Sequence, residues 1–243
     1  MTEDGNISSI GLVTQDIIKV TLNGNVNVSQ MENSLRWSII SSDDTQYDTT
    51  LHPRDIDRFS MVLDNDNGTV YRNILYLHTP FSLKENVTYT ITFDTDTDQY
   101  PYSYNGTTGY FVTDKTFGPW NIAPTQDLSG ASQAIKVNQH GYSAVGDDRY
   151  AYVGYWLGTG GALDIINGSA YTIYRASDNT AVEQGSLTYR GDDSRSGEEV
   201  HEIDLGNLSS GEYYIVVDGV GRSYTFRIGG SAFEAFYTAA RGL

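Results

Sequence analysis

The stretch TVYRNILYLHTPFSLKENVTYTITFDT, residues 69–95, decides how the chain is read. Its second arm sets Tyr89, Ile91 and Phe93 against Thr88, Thr90, Thr92 and Asp94. That strict alternation is the period of an extended chain with one face on a core. The first arm, TVYRNILYLH (69–78), is rich in the β-branched and aromatic residues that strands favour. Working outward, RFSMVL (58–63), NSLRWSII (33–40) and IGLVTQDIIKVTL (10–22) have the same character. The turn signals Asn23-Gly24, Asn67-Gly68 and Asn105-Gly106 punctuate these runs. Strand-sized runs at this spacing, with almost no helical period, predict antiparallel β-structure.

Downstream the pattern lapses and then resumes. The segment from Asp114 to Gln133 contains Gly118-Pro119, Ala123-Pro124 and Ser129-Gly130, and a module boundary is expected inside it. From Ala134 the runs AIKVNQ, RYAYVGYW, AYTIYRA, GSLTYR, EVHEIDL, GEYYIVV and SYTFRI succeed one another. Seven runs between Ala134 and Ile228 suit one immunoglobulin-like sandwich. The expected fold class is therefore all-β: two tandem immunoglobulin-like β-sandwiches with a short C-terminal helix. The expected modules are 1–116 and 134–229, with a linker at 117–133. The helix is read over 230–243, where Phe233, Phe236, Tyr237 and Ala240 share a helical face and Ser231 with Glu234 has capping-box spacing. The two halves do not align with each other by eye.

Composition narrows the function classes. At 243 residues the chain has room for two cores. No run approaches the roughly 18 apolar residues of a membrane span. The opening MTEDGNISS has neither a basic nor an apolar segment, so no secretion signal is read there. There are no cysteines, which removes disulfides, thiol chemistry and Cys-bound metals. A net charge of −16 argues against nucleic acid and anionic membranes as partners, since both need a basic patch.

The second half carries a resemblance. AIKVNQHGYSAVGDDRYAYVGY supplies Ile135, Val137, Asn138, Gln139, Gly141 and Tyr142. SGEEVHEIDLGNLSSGEYYIVVDGVGRSYTFRIG supplies Ser196, Gly197, Glu198, Asp204, Gly211, Tyr213, Tyr214, Gly219, Gly221, Ser223, Phe226 and Ile228. Together these resemble the opening and closing segments of the N-terminal immunoglobulin-like domain attached to glycoside hydrolase family nine cellulases. The helical tail is similar to the first helix of that family's catalytic domain. The resemblance implies a non-catalytic accessory region of a secreted enzyme, stabilising an inverting α/α barrel in the same polypeptide and contacting polysaccharide such as cellulose or another β-glucan. The family's Asp-Ala-Gly-Asp motif is absent, so no catalytic residue is assigned in this chain. The first half more loosely resembles bacterial immunoglobulin-like modules. Two other readings stay open: a stand-alone carbohydrate-binding module, and a cell-surface adhesion or spacer segment.

The binding candidates are aromatic. Tyr100, Tyr102 and Tyr104 alternate, with Tyr110 and Trp120 downstream, and period-two spacing would put the three tyrosines on one face. Exposed rings stack on the apolar C–H face of a sugar. Packing at a sandwich edge is the reading that most aromatics follow, and these rings suit it. Trp156, beside Tyr155 and before a Gly-rich loop, stands in the same position between the two readings. Asp94, Asp96 and Asp98 alternate as well, and a calcium ion between them is the candidate cofactor; no other cofactor is expected. Asp64, Asp66 and Gly68 miss the spacing of an EF-hand loop and read as a hairpin turn. His52, His78, His140 and His201 lie in separate segments, which gives no zinc spacing. Asp192, Asp193, Glu198 and Glu199 read as a solvated loop.

Overall fold

The computed structural model describes residues 6–64, 70–104, 107–124, 130–146 and 148–230, together with Tyr237 and Arg241. The chain divides into two compact units. One is Met1–Gly130 with Leu157–Gly160; the other is Ala131–Trp156 with Gly161–Leu243.

In the first unit β1 (Asn6–Thr14) and β2 (Ile17–Asn23) form a hairpin. Its turn is Gln15-Asp16, closed by the Asp16 N–H donating to Thr14 Oγ1 at 3.1 Å. A single helical turn, α1 (Val28–Met31), comes next, capped by the Asn27 side chain accepting from the Ser29 N–H. Then come β3 (Trp37–Ile40), β4 (Asp55–Asp64), β5 (Val70–His78), β6 (Tyr89–Asp94), β7 (Pro101–Tyr104), β8 (Thr107–Tyr110) and β9 (Thr116–Ile122). Sheet orders are β1-β2-β5-β4 and β3-β6-β9, all antiparallel, with β7-β8 as a separate ribbon. This four-plus-three order is the ABED/CFG arrangement of an immunoglobulin sandwich. Ile18, Val20 and Leu22 of β2 and Leu75 and Leu77 of β5 join one core with Ile39, Ile91 and Phe93 from the other sheet. At its centre Trp37 stacks on Phe93 at 4.4 Å, and Phe93 on Phe117 at 5.4 Å. The Trp37 indole N–H donates to the Met31 carbonyl, so the buried polar handle is satisfied.

Part of the segment expected as a linker is a strand. Phe117 to Ile122 lie in β9, opposite Phe93, Ile91 and Tyr89 of β6. Gly118-Pro119 reads as punctuation, yet β9 is an edge strand, where proline costs no ladder bond. Gly118 has φ +103°, and a Cβ there would come within 2.8 Å of the Ile91 carbonyl oxygen.

The strands of the second unit are β10 (Ile135–Lys136), β11 (Tyr150–Val153), β12 (Ala170–Arg175), β13 (Ala181–Ser186), β14 (Thr188–Asp193), β15 (Glu198–Asp204), β16 (Gly211–Val217), β17 (Gly221–Arg222) and β18 (Phe226–Ile228). One sheet runs β10-β11-β15-β14; the other runs β13-β12-β16-β17, with β18 also pairing β16. The second unit repeats the order of the first with an added edge strand, β13, beside β12. Ala151, Val153, Ile173, Ile203, Ile215, Val217, Phe226 and Ile228 are buried. The run GSLTYR is not one strand. It straddles the end of β13 and the start of β14, which lie in different sheets, and the chain changes sheet at the buried Leu187. The two halves thus share a topology that their sequences do not display. Of the C-terminal helix, Tyr237 and Arg241 are described and helical, while the rest of the segment lies outside the described residues.

Candidate functional site

The motif residues of the second unit are spent on turns and corners. Asn138 opens a tight turn: its side chain accepts from the His140 N–H and its carbonyl from the Gly141 N–H. Gly141 sits at φ +89°, which only glycine adopts cheaply. Tyr142 then exchanges backbone hydrogen bonds with Arg227 and Gly229, while its hydroxyl accepts from the Asn138 N–H and donates to the Tyr150 carbonyl. Tyr213 donates to the Ser209 carbonyl four residues upstream, the tyrosine corner of this fold. A Cβ on Gly211 would lie 3.0 Å from the Tyr213 hydroxyl, which explains a Gly-x-Tyr spacing. Ser223, buried, accepts from the Ile215 N–H and donates to the Tyr224 carbonyl. Asp193 accepts from the Arg195 N–H and the Ser196 hydroxyl, and these bonds hold its carboxyl below the usual value. Glu198 ion-pairs with Lys136.

The sequence-predicted aromatics lie on and before the β7–β8 ribbon, on β9 and in the second unit. Tyr102 and Tyr104 lie on β7, but their side chains fall outside the described residues. Tyr100 precedes that strand, its carbonyl accepting from the Phe111 N–H and its hydroxyl donating to Asp96 at 3.2 Å. Tyr110 ends β8 and is 48% exposed. Trp120 lies on β9 and packs, half-buried, against the first unit's core. Trp156 belongs to the second unit, half-buried, with its indole edge against Gly197.

The three aspartates differ in their surroundings, and the Asp98 N–H donates to Asp96 Oδ1 at 3.2 Å. Asp96 is held at the centre of a network: Arg36 reaches its Oδ2 at 3.1 Å, the Gln30 amide donates to Oδ1, and its own N–H returns to Gln30. Asp94 and Asp98 are exposed. Among the described residues no three His, Cys, Asp or Glu side chains group as metal ligands. Asp66 and Gly68 lie outside the described residues.

The first unit carries a site that no local motif announces. An open cleft of about 730 Å³ is lined by Gln15 and Asp16 of the β1–β2 turn, Gln46 and Arg54 between β3 and β4, and Pro80 to Glu85 between β5 and β6. Phe81 presents its ring there, 44% exposed and edge-on to the buried Tyr47 at 6.1 Å. The Tyr47 hydroxyl donates to the Phe81 carbonyl and accepts from the Phe81 N–H. Thr79 and Leu83 donate backbone bonds to Asp16 and Gln15. Tyr89 forms this unit's tyrosine corner: its hydroxyl accepts from the Lys84 N–H at 2.8 Å and donates to Asp44 Oδ2 at 2.8 Å. Asp44, with no exposed side chain, also takes the Lys84 ammonium at 2.6 Å. Burial pushes the Asp44 carboxyl up, but hydrogen bonds from Lys84, Gln46 and Tyr89 outweigh it and hold the value down. The loop is therefore held by Tyr47, by Tyr89 and by the β1–β2 turn. The one signal in the sequence was a phenylalanine inside a Pro-Phe-Ser turn segment.

Residues 130–222 match the family model described as the cellulase N-terminal ig-like domain. Among solved structures, a metagenome-derived glycoside hydrolase family 9 endoglucanase is 31% identical over 44% of this chain, with a TM-score of 0.36. This chain covers 20% of that endoglucanase. The N-terminal part of the bacterial S-layer protein SbsC is 14% identical, covers 94% of this chain and is itself covered over 45%, with a TM-score of 0.31. No curated protein matches. Among the described residues no helix is long and apolar enough to cross a membrane. It is over residues 130–222, the greater part of the second unit, that this chain is similar to the Ig-like domains that precede cellulase catalytic domains.

Proposed function

We propose that the chain is the non-catalytic front end of a family nine, endoglucanase-like glycoside hydrolase that works outside the cell. In this reading the second unit adjoins and stabilises an α/α barrel of the same polypeptide. The first unit spaces that assembly and contacts polysaccharide. The observation that carries the reading is the family match over residues 130–222. It is supported by the use to which the matching residues are put. Asn138, Gly141, Tyr142 and Tyr213 build turns and corners, as a scaffold requires, and none of them is left to act on a substrate.

The test begins with the coding sequence beyond Leu243. It should continue into an α/α barrel carrying an Asp-Ala-Gly-Asp motif; a stop or an unrelated domain there would overturn the reading. With the parent enzyme in hand, removing residues 1–229 should shorten the thermal half-life of its activity on carboxymethylcellulose. An unchanged half-life would refute the stabilising role. The 243-residue chain alone should release no reducing sugar.

A further inference from the structure

The cleft beneath Phe81 has properties that select a ligand class. Its volume of about 730 Å³ lies within the roughly 300–1,000 Å³ of ordinary small-molecule sites. It offers one exposed aromatic ring, two primary amides at Gln15 and Gln46, and charges of both signs at Arg54, Asp16 and Glu85. The Lys84 ammonium is already held by the buried Asp44. This leaves one cation facing two carboxylates, which disfavours an anionic ligand. An amide both donates and accepts, as a sugar hydroxyl does, and an exposed ring stacks on the apolar face of a pyranose. The cleft opens at the end of the sandwich rather than closing over its contents, so a polymer could pass through it.

From these features we infer that the first unit binds a neutral glycan chain in this cleft. Phe81 is the stacking platform. Gln15, Gln46 and Arg54 are the hydroxyl partners. The Tyr47, Tyr89 and Asp44 hydrogen bonds hold Phe81 and Lys84 in their bound positions beforehand, which lowers the ordering cost of association. This rests on the part of the proposed function that gives the first unit a polysaccharide, and not on the family match of the second.

Affinity electrophoresis of the full chain tests it. The gels would contain hydroxyethylcellulose, mixed-linkage β-glucan, arabinoxylan or galactomannan, with polygalacturonate as the anionic comparison. At least one neutral polymer should retard the chain. Phe81→Ala should weaken that retardation roughly tenfold, about the loss of one aromatic stack. Gln46→Ala, at an exposed position outside the core, should weaken it as well, which guards against a Phe81 variant that misfolds. Tyr102→Ala should migrate as the parent does. No retardation by any neutral glycan, retardation by polygalacturonate alone, or retention that survives both Phe81→Ala and Gln46→Ala would each overturn the inference. Loss of retardation in Tyr102→Ala instead would move the site to the β7–β8 ribbon and equally overturn it. None of these outcomes depends on whether a catalytic barrel is encoded beyond Leu243, so the two readings fail separately.

Discussion

Tyr89 and Tyr213 hold equivalent corners of the two units, but their hydroxyls carry different burdens. The Tyr213 hydroxyl bonds only the carbonyl and hydroxyl of one exposed residue, Ser209. Tyr89 joins a backbone N–H to a fully buried carboxylate. Replacing Tyr89 by Phe leaves Asp44 buried with one donor fewer, which should cost about 1–3 kcal/mol. Tyr213→Phe should cost only about 0.5–1.5 kcal/mol. Urea unfolding of the two variants measures this, and a Tyr213 change that cost more would contradict the argument. His201 presents a different case. It is buried at 1% exposure, its Nδ1 has no hydrogen-bond partner, and the Tyr189 ring lies 5.3 Å away. Burial pushes its pKa below the ordinary value, with Glu199 pulling weakly the other way. The unfolded chain therefore takes up this proton first as the pH falls. Stability from His201 is full above about pH 6.5 and is lost as the pH drops toward the lowered folded value. Thermal melts between about pH 7 and 5.5, above the ordinary carboxylate range, should decline for the parent chain and stay flatter for His201→Leu. Equal slopes would dispose of the idea.

At the scale of elements, the β14–β15 hairpin shows why glycine stands where it does. Gly197 sits at φ +74°, donates its N–H to the Asp193 carbonyl, and carries the Trp156 indole 3.1 Å from where a Cβ would be. Gly197→Ala should destabilise the second unit by about 1–2 kcal/mol, the cost of a left-handed residue with a side chain. Chemical denaturation followed by Trp fluorescence reads this, and an unshifted midpoint would contradict the backbone cost assigned to this position. The strands themselves were largely legible, because Tyr89-Ile91-Phe93 and the run EVHEIDL advertise their period. Three features were not. The single run IGLVTQDIIKVTL hid a hairpin, since Gln15-Asp16 is not a turn dipeptide by composition. GSLTYR hid a change of sheet at Leu187, because propensity does not say which neighbour a strand will choose. Thr116–Ile122 hid behind Gly118-Pro119, since an edge strand tolerates what a central one would not.

For the whole molecule, the amino-acid sequence by itself determined the all-β class, the division into two modules and the likeness of the second to cellulase N-terminal domains. These rest on short-range facts: side chains alternate every two residues along a strand, and Asn138, Gly141, Gly211 and Tyr213 act through neighbours within four positions. The tertiary structure alone decided that both units share one strand order, that Trp120 packs on the first core, that Asp96 is tied to Arg36 and Gln30, and that Phe81 faces a cleft. Each of these joins residues far apart in the chain. The cleft gathers Gln15, Gln46 and Phe81 from three separate loops, and it exists only once two sheets have closed on Trp37 and brought those loops to one end. No local pattern encodes that meeting, because it is set by which strands pair and not by the residues between them.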